Sequence, residues 1–524
     1  MRLRKGRVFL VLLLVAGVIG AALYITNKNQ FSKKVVVIND EDVVYEESIR
    51  LGVSNFDTIN PILTKNNVVI NINKLIYEPL FEVTSDYRLE GCLAKEFAKT
   101  STTTYVVKIN SSVKWSDGSS FSAKDVKYTI NLIKSRDNIF SENVKNVESV
   151  DVIDSSTVKI TLAEEVPFFE YNLTFPIMCE KYYDNEDFFT SSKKPIGTGR
   201  YKLESVGNNQ IVITKNTEYR DEQLINDSIN KIYVSIFSEI GEVYNSFKMG
   251  NIDVLNTSSS QYKNYIGTLG YYVKEYNGRE FDFLCCNCND NIMKDESVRQ
   301  ALSYAIDKDN IVSNVYNNDY YKSDYFLDYG NYLYSASYVD ANYNIEKAKE
   351  ILESGGWTYS NNVWRKNGWV LNLTIAVNSG NKKRVDSAKV IKNQLEEIGI
   401  NVTVRELSDS DYEAAIANKN YQVLLTGIYN GYSPDLEYFY GENNLANYTN
   451  DVVKSLMKEI KNITDEKALK EKYEELIKVT MTDSAYIGLY RNKCSLVVSK
   501  KMSGNFEPGN YWIFNNFESW KRAQ

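Results

Sequence analysis

The 524 residues include no histidine, so chemistry in this chain is left to Lys, Asp, Glu, Cys and Tyr side chains. Without imidazole, Ser-His-Asp and Cys-His catalytic groups, His-ligated zinc and His acid–base catalysis are excluded. The cysteines are Cys92, Cys179, Cys285, Cys286, Cys288 and Cys494. Residues 281–288 read as one strand, on which Cys285 faces away from Cys286 and Cys288. We therefore expect packed thiols, with one disulfide or a metal site as the alternatives.

A polar loop that follows an apolar strand is the first candidate ligand contact. Strand and loop together cover residues 421–435, and the loop contains Tyr429, Asn430, Tyr432 and Asp435. The Asn430 amide could bind a ligand, or it could satisfy the backbone of its own turn. Tyr429 and Tyr432 could stack on ligand side chains, or they could be packing or surface residues. The loop is therefore a candidate binding element.

A basic segment is the second candidate. Lys382, Lys383 and Arg384 stand at the start of a helix predicted over residues 385–398. Cations at a helix N-terminus oppose the helix dipole, at a cost of roughly 0.3–1 kcal/mol each. A ligand carboxylate at that end would remove the conflict. Lys383 and Arg384 are therefore candidate ligand contacts, and a solvated basic face is the alternative.

The elements that must position these residues alternate between strands and helices. Residues 371–377 alternate as a strand, the helix over 385–398 is closed by Gly399, and residues 402–404 begin another strand. This spacing predicts a parallel β-α-β crossover. The other legible elements are a strand over 105–109, a helix over 122–134 behind a capping box, a hairpin over 150–162, a helix over 298–306 and a helix capped by Asn344 that ends at Gly355.

The composition is that of a folded protein with an acidic body. Hydrophobic residues make up 43% and charged residues 25%, which is ordinary for a chain with a real core. The 61 Lys and Arg face 68 Asp and Glu, a net charge of -7. No basic excess exists to neutralise phosphates, so nucleic acid is not an expected partner. No cofactor is expected either.

The N-terminus determines the expected compartment. Four cations within the first seven residues precede an uncharged run over residues 8–25. Such a run can cross a hydrocarbon core of about 30 Å, with its cationic end in the cytoplasm. An uncleaved membrane anchor is favoured, and a cleaved signal peptide is the alternative. The body beyond residue 34 is expected on the extracytoplasmic face of the cell membrane.

Four motifs, in order, carry a family resemblance. They are the Trp-Ser-Asp-Gly turn and Ala-Lys-Asp-Val helix of residues 113–126, Pro-Ile-Gly-Thr-Gly-Arg-Tyr at 195–201, Val-Arg-Gln-Ala-Leu within 295–307, and the Glu-Lys-Ala-Lys-Glu-Ile-Leu helix within 343–357. Together they resemble the extracytoplasmic solute-binding proteins of ABC importers in the oligopeptide/dipeptide-binding family, solute-binding protein family 5. The resemblance runs from about residue 48 to 504. Gly197 and Gly199 are expected to permit a tight turn, and Trp115 to pack in the core.

The resemblance implies an α/β fold of two lobes, like that of periplasmic binding proteins, with an extra subdomain on lobe one. The chain would weave between the lobes, which agrees with the lack of ordinary linkers. The implied boundaries are 1–34 for the N-terminal segment and tether, 45–82, 195–285 and 495–524 for lobe one, 83–194 for the subdomain, and 286–494 for lobe two.

The function implied by the resemblance is binding without catalysis. The protein would bind a peptide or related small solute between its lobes, close by a hinge motion and deliver the ligand to the permease subunits of an ABC transporter. A peptide-signal receptor on the same scaffold is the alternative. An envelope hydrolase is disfavoured, because the chain has no histidine and no G-x-S-x-G elbow.

The resemblance also assigns roles within the loop. In peptide-binding members, an Asp four residues before a Pro pairs with the α-ammonium of the peptide. Here Pro434 has Asn430 at that spacing. Asp435 or another carboxylate could substitute, or the ligand could lack a free amine, since neutral hydrogen bonds are weaker than charge-assisted ones. Some dipeptide-binding members hold the ligand carboxylate with an Arg in the region of Lys383 and Arg384.

Overall fold

The computed structural model describes residues 45–184, 186–227, 229–267, 270–335 and 342–524. The predicted anchor at 8–25 and the tether to residue 34 lie outside these ranges. Within them, no helix combines the length and the apolar character that a membrane crossing requires. Residues 47–522 form one body.

Strands and helices are distributed along the whole described chain. The strands are β1 (Tyr45–Glu46), β2 (Ser48–Ser54), β3 (Phe81–Val83), β4 (Leu89–Gly91), β5 (Ala94–Lys99), β6 (Thr104–Ile109), β7 (Val147–Asp154), β8 (Thr157–Leu162), β9 (Tyr201–Val206), β10 (Gln210–Lys215), β11 (Lys231–Phe237), β12 (Val254–Thr257), β13 (Tyr271–Cys286), β14 (Tyr320–Lys322), β15 (Thr358–Ser360), β16 (Val363–Lys366), β17 (Trp369–Val370), β18 (Asn372–Asn378), β19 (Asn401–Leu407), β20 (Val423–Tyr429), β21 (Tyr486–Ser499), β22 (Met502–Ser503) and β23 (Lys521–Ala523). The α-helices are α1 (Asn67–Ile76), α2 (Ala123–Ser135), α3 (Ser141–Val144), α4 (Glu222–Asp227), α5 (Ile240–Lys248), α6 (Tyr262–Ile266), α7 (Glu296–Ala305), α8 (Lys308–Tyr316), α9 (Ile345–Ser354), α10 (Lys382–Glu397), α11 (Asp409–Ala417), α12 (Glu437–Tyr440), α13 (Asp451–Ile460) and α14 (Glu466–Asp483).

One mixed sheet runs through the body in the order β19-β18-β20-β13-β21-β12-β2-β11-β10-β9. Its two longest strands, β13 and β21, are antiparallel to each other and stand in the middle. The C-terminal part of β13 pairs with β20, whereas the C-terminal part of β21 pairs with β12. These two strands therefore join the two halves of the sheet, and each half belongs to one lobe of a two-lobed α/β fold.

The β-α-β unit predicted from the sequence is confirmed. β18 and β19 are parallel in register from Asn372 opposite Asn401 to Asn378 opposite Leu407, and α10 connects them. The helix begins at Lys382, three residues before the predicted start. The reason is local: the side chain of Asn381 caps the helix by accepting the Arg384 N–H.

Strands β18 and β20 have buried residues on both faces, as expected of parallel strands covered by helices. On β18, Ile375 and Val377 belong to one hydrophobic cluster and Ala376 to another. On β20, Leu425 belongs to the cluster of Ile375 and Val377, and Leu424 belongs to that of Ala376. A separate cluster spans β2, α1 and the four-stranded antiparallel sheet β5-β6-β8-β7 with α2. The residue boundaries predicted for the lobes and the subdomain stay predictions.

The glycines of the 195–201 segment have a different role from the predicted one. Neither Gly197 nor Gly199 has a positive φ. Instead a Cβ on Gly197 would lie 1.9 Å from the Ile76 carbonyl oxygen, and one on Gly199 would lie 2.5 Å from that of Leu75. The glycines thus let this segment approach the end of α1 closely. Trp115 is fully buried, as predicted.

All six cysteines are free thiols. In the described part of the chain, no three or more Cys, Asp or Glu side chains group as a metal site. Cys286 and Cys285 pack in the clusters on opposite faces of the sheet, as predicted. The prediction for Cys288 is wrong, because β13 ends at Cys286 and Cys288 packs against the cluster that contains Cys285.

Candidate functional site

Two cavities adjoin at the predicted binding loop, and Tyr429 and Tyr432 line both of them. The large cavity measures about 690 Å³ and the small cavity about 300 Å³. The large cavity is lined by α1, by β13 and by the C-terminal segment at 510–513, so both halves of the fold contribute. Its volume lies within the range of small-molecule sites, roughly 300–1,000 Å³.

Lys74 is the first of two cations that line the large cavity. It is the sole charged residue of α1, whose N-terminus is capped by the side chain of Asn66. The ammonium donates to the Tyr511 carbonyl oxygen and lies 3.2 Å from the centre of the Tyr511 ring. Burial lowers the pKa of Lys74 to about 7, although the negative charge of Glu82 raises it. Lys74 is therefore an ammonium held in a site that disfavours its charge.

Arg279 is the second cation, and it lies on β13 in contact with the loop. Its Nε donates to the Asn430 carbonyl oxygen at 2.6 Å. The guanidinium carbon lies 4.4 Å from the Tyr429 ring centre and 4.0 Å from that of Tyr432. Such cation–π contacts favour the charged group by roughly 0.5–2 kcal/mol. The guanidinium is therefore fixed in place beside both tyrosines.

The protein places an acid near these cations, Glu82, whose negative charge raises the pKa of Lys74. No described carboxylate forms an ion pair with Lys74 or Arg279. The one acid among the residues lining the large cavity within the described ranges is Glu280, which accepts a hydrogen bond from the Tyr320 hydroxyl at 2.8 Å. The large cavity consequently carries a positive excess.

The small cavity has the opposite character, because Asp328 and Asp435 line it. Asp328 is buried and accepts hydrogen bonds from Tyr87 Oη at 2.7 Å and Asn277 Nδ2 at 2.8 Å. Asp435 accepts the Glu437 N–H at 3.0 Å, and burial raises the pKa of its carboxyl. Asp328 is thus already bonded to neutral donors, whereas the Asp435 carboxylate accepts one described hydrogen bond, from a backbone N–H.

Asn430 lines the small cavity, but its side chain serves the protein as a donor. Its Nδ2 donates to the Phe326 carbonyl oxygen at 2.7 Å, and its backbone N–H donates to the Arg279 carbonyl oxygen at 2.8 Å. Arg491 also donates to the Phe326 oxygen, at 3.0 Å. The loop residue therefore anchors the loop to two other segments while it borders the cavity.

Lys383 and Arg384 do not lie with the loop residues. Arg384 binds the buried carboxylate of Asp282 through two hydrogen bonds of 2.7 and 3.0 Å. Lys383 donates to the Val315 carbonyl oxygen, and Lys382 pairs with Asp386. The protein itself thus satisfies the basic segment, and neither residue lines the two cavities. The geometry gives the predicted ligand role of Lys383 and Arg384 no support.

Sequence reasoning missed Lys74, Arg279 and Tyr511 as cavity residues. Lys74 had a usable signal, a single charge in the otherwise uncharged helix Asn67–Ile76. Tyr511 had none, because it lies 437 residues away from Lys74 along the chain. A contact of that separation arises from the tertiary fold and leaves no local pattern.

Comparisons with known proteins agree with this architecture. Residues 88–450 match the family described as bacterial extracellular solute-binding proteins, family 5, middle part. The oligopeptide-binding protein AppA of Bacillus subtilis is 25% identical over 468 residues, which cover 84% of this chain and 82% of AppA. The nickel-binding periplasmic protein of Escherichia coli is 23% identical, over 67% of this chain and 69% of its own.

A solved structure shows the same fold. The unliganded open form of MppA, a periplasmic murein tripeptide-binding protein, superposes with a TM-score of 0.79 at 16% identity, and covers 92% of this chain and 98% of MppA. The predicted two-lobed α/β fold is thereby confirmed. With more than half of its length matched by the family, this chain belongs to the bacterial extracellular solute-binding proteins of family 5.

Proposed function

We propose that this protein binds a peptide or peptide-like solute between its lobes and delivers it to the permease subunits of an ABC importer. The observation that carries the proposal is the large cavity, whose walls come from α1 and the 510–513 segment on one side and from the loop at 429–432 on the other. AppA is named for oligopeptides and MppA for a murein tripeptide. The nickel-binding relative is the reason that peptide specificity needs a direct test.

The test is direct binding followed by uptake. Calorimetry with random tetrapeptide pools should give saturable binding to the soluble body. Cells that lack this protein should lose uptake of a labelled member of the bound pool. Binding with normal uptake would favour a peptide-signal receptor, and a pool that is cleaved during the titration would favour a hydrolase.

We also propose that residues 8–25 anchor the body to the membrane, with the body outside the cytoplasm. The support is the length of the uncharged run and the cations before it. The full-length protein should fractionate with membranes and retain its N-terminal cations. A mature N-terminus beyond residue 20 would refute the anchor and favour a cleaved signal peptide.

A further inference from the structure

The charges that line the large cavity are out of balance. Lys74 and Arg279 bring two positive groups, and neither forms an ion pair with a described carboxylate. Glu280 brings one negative group, which the Tyr320 hydroxyl already binds. Cations enclosed in a protein are ordinarily paired, since an unpaired charge in a cavity loses solvation without recovering it.

Arg279 also occupies the face of the loop at which a ligand cation would bind. Its guanidinium covers the rings of Tyr429 and Tyr432 and donates a hydrogen bond to the carbonyl oxygen of Asn430. These are the aromatic faces and the acceptor that an ammonium would seek. A ligand ammonium placed there would meet a like charge, whereas a carboxylate would meet a donor fork of matching geometry.

We propose that the large cavity selects ligands that carry a carboxylate, and that Arg279 and Lys74 bind this carboxylate together. The inference rests on the proposed solute-binding function and names the ligand chemistry of that site. Both cations line the cavity, and the Tyr511 ring and carbonyl oxygen position the Lys74 ammonium. The pKa of Lys74, lowered by burial, indicates an ammonium that gains from an incoming negative charge.

The experiment compares one random tetrapeptide pool in two forms, with a free C-terminal carboxylate and with a C-terminal amide. Calorimetry on the wild-type body should show the acid pool binding about 10- to 150-fold more tightly, the range for one charge-assisted hydrogen bond. Arg279→Gln should reduce this ratio towards one, mainly by weakening the acid pool. Lys74→Met should reduce it as well.

Arg136→Gln is the matched control. Arg136 also covers an aromatic ring, that of Phe189 at 4.5 Å, but it lines neither cavity. It should leave the acid-to-amide ratio unchanged. Thermal unfolding of each variant confirms that a lost preference reflects the site and not the fold. Equal affinity of the two pools for the wild-type protein would overturn the inference and leave the peptide function intact.

A second experiment tests the carboxylate site separately from the peptide function if neither pool binds. That result would overturn the peptide function, and the carboxylate site would then be tested with benzoate, hexanoate and glutarate against the corresponding amides. The carboxylates should raise the unfolding temperature of the wild-type protein but not that of Arg279→Gln. Shifts that are absent, or equal for acids and amides, would overturn the carboxylate site as well.

Discussion

At the scale of single residues, the direction of the Asn430 hydrogen bond determines the effect of its replacement. The Asn430 amide nitrogen donates to the Phe326 carbonyl oxygen at 2.7 Å. In Asn430→Asp a carboxylate oxygen would face that carbonyl oxygen, and two acceptors cannot bond. We expect the free energy of unfolding to fall by about 1–3 kcal/mol, the cost of leaving such groups unsatisfied. Urea denaturation measures the change.

The matched control for this prediction is Asn418→Asp. The Asn418 amide also donates to a backbone carbonyl oxygen, that of Ala414 at 2.9 Å, but at an exposed site. Water can replace the lost donor there, so little change is expected. Equal losses for the two variants, or none for Asn430→Asp, would contradict the donor role of Asn430.

Lys74 gives a second prediction at this scale, on pH. Its lowered pKa of about 7 means that the free protein loses this charge as the pH rises above 7. A bound carboxylate favours the protonated form, so binding above pH 7 must take up a proton. The affinity for acid ligands should therefore fall as the pH rises through about 7, by at most tenfold per pH unit.

Calorimetry of the acid tetrapeptide pool at pH 8, in two buffers of different ionisation enthalpy, measures the proton uptake. The charged groups that act on Lys74 are Glu82, which raises its pKa, and Arg279, which lowers it. Glu82→Gln tests whether that acid contributes to the pH dependence. Lys74→Met should abolish proton uptake, whereas Lys193→Met, which removes a lysine near the ring of Tyr182, should not. Proton uptake that survives in Lys74→Met would contradict the assignment.

The loop at 429–435 was predictable from sequence because an apolar strand that runs into polar residues is a local pattern. Tyr429, Asn430, Tyr432 and Asp435 all border a cavity, although their contact with a ligand stays a prediction. Arg384 shows where such reasoning stops. Its partner Asp282 lies 102 residues away, so the sequence could not show that its charge was already matched.

At the scale of elements, the packing of α1 against the 195–201 segment depends on the absence of a side chain. A Cβ at position 197 would overlap the Ile76 carbonyl oxygen at 1.9 Å, and backbone cannot move as a flexible side chain can. Gly197→Ala should therefore lower the free energy of unfolding by about 1–3 kcal/mol or more, as overpacking does. Gly207→Ala is the control, because its nearest neighbour would lie 3.5 Å away.

Denaturant unfolding of both glycine variants provides the measurement. A larger loss for Gly207→Ala than for Gly197→Ala would contradict the close-approach role. The substitution should also affect α1, the helix that bears Lys74, because the Gly199 N–H donates to the carbonyl oxygen of Ile76 at the end of this helix, at 2.9 Å. Displacement of this helix end should weaken binding of the acid tetrapeptide pool in Gly197→Ala.

Elements were predictable to the extent that their signals were local. The capping box at Ser122 and Asp125 begins α2, and Asn344 caps α9, as predicted. Helix α10 begins before the predicted residue 385, because the side chain of Asn381 caps it at Lys382. The predicted alternation does not hold at Cys288, because β13 ends at Cys286.

At the scale of the whole molecule, several contacts join segments on opposite sides of the cavities. Tyr432 Oη donates to the Asn510 carbonyl oxygen at 3.0 Å, and the Tyr432 ring meets that of Tyr511 edge to face at 5.1 Å. Tyr87 Oη donates to Asp328 at 2.7 Å. Such contacts act over short distances, so a separation of the two sides would break them. They therefore stabilise the arrangement in which the cavities are bounded on both sides.

The order of the strands explains why the arrangement of the whole molecule was harder to predict than its single elements. β13 and β21 pair across more than 200 residues of sequence, and the two halves of the sheet are assembled from early, middle and late segments. Local periodicity identifies each strand but not its neighbour. The resemblance to a family supplied the two-lobed fold, whereas composition and periodicity alone indicated a mixed α/β chain.

The last prediction concerns closure of the lobes. A ligand that contacts both walls of the large cavity should favour the closed arrangement, so small-angle scattering should show a smaller radius of gyration with a saturating acid tetrapeptide pool.

Tyr432→Phe removes the hydroxyl that donates to Asn510 but keeps the ring. It should weaken binding by about 2- to 10-fold, the value of one neutral hydrogen bond, and enlarge the unliganded radius of gyration. Tyr359→Phe, an exposed tyrosine outside both cavities, should change neither quantity. If saturating ligand leaves the scattering curve of the wild-type protein unchanged, the lobes do not close on it, and a hinge motion does not couple binding to delivery in this protein.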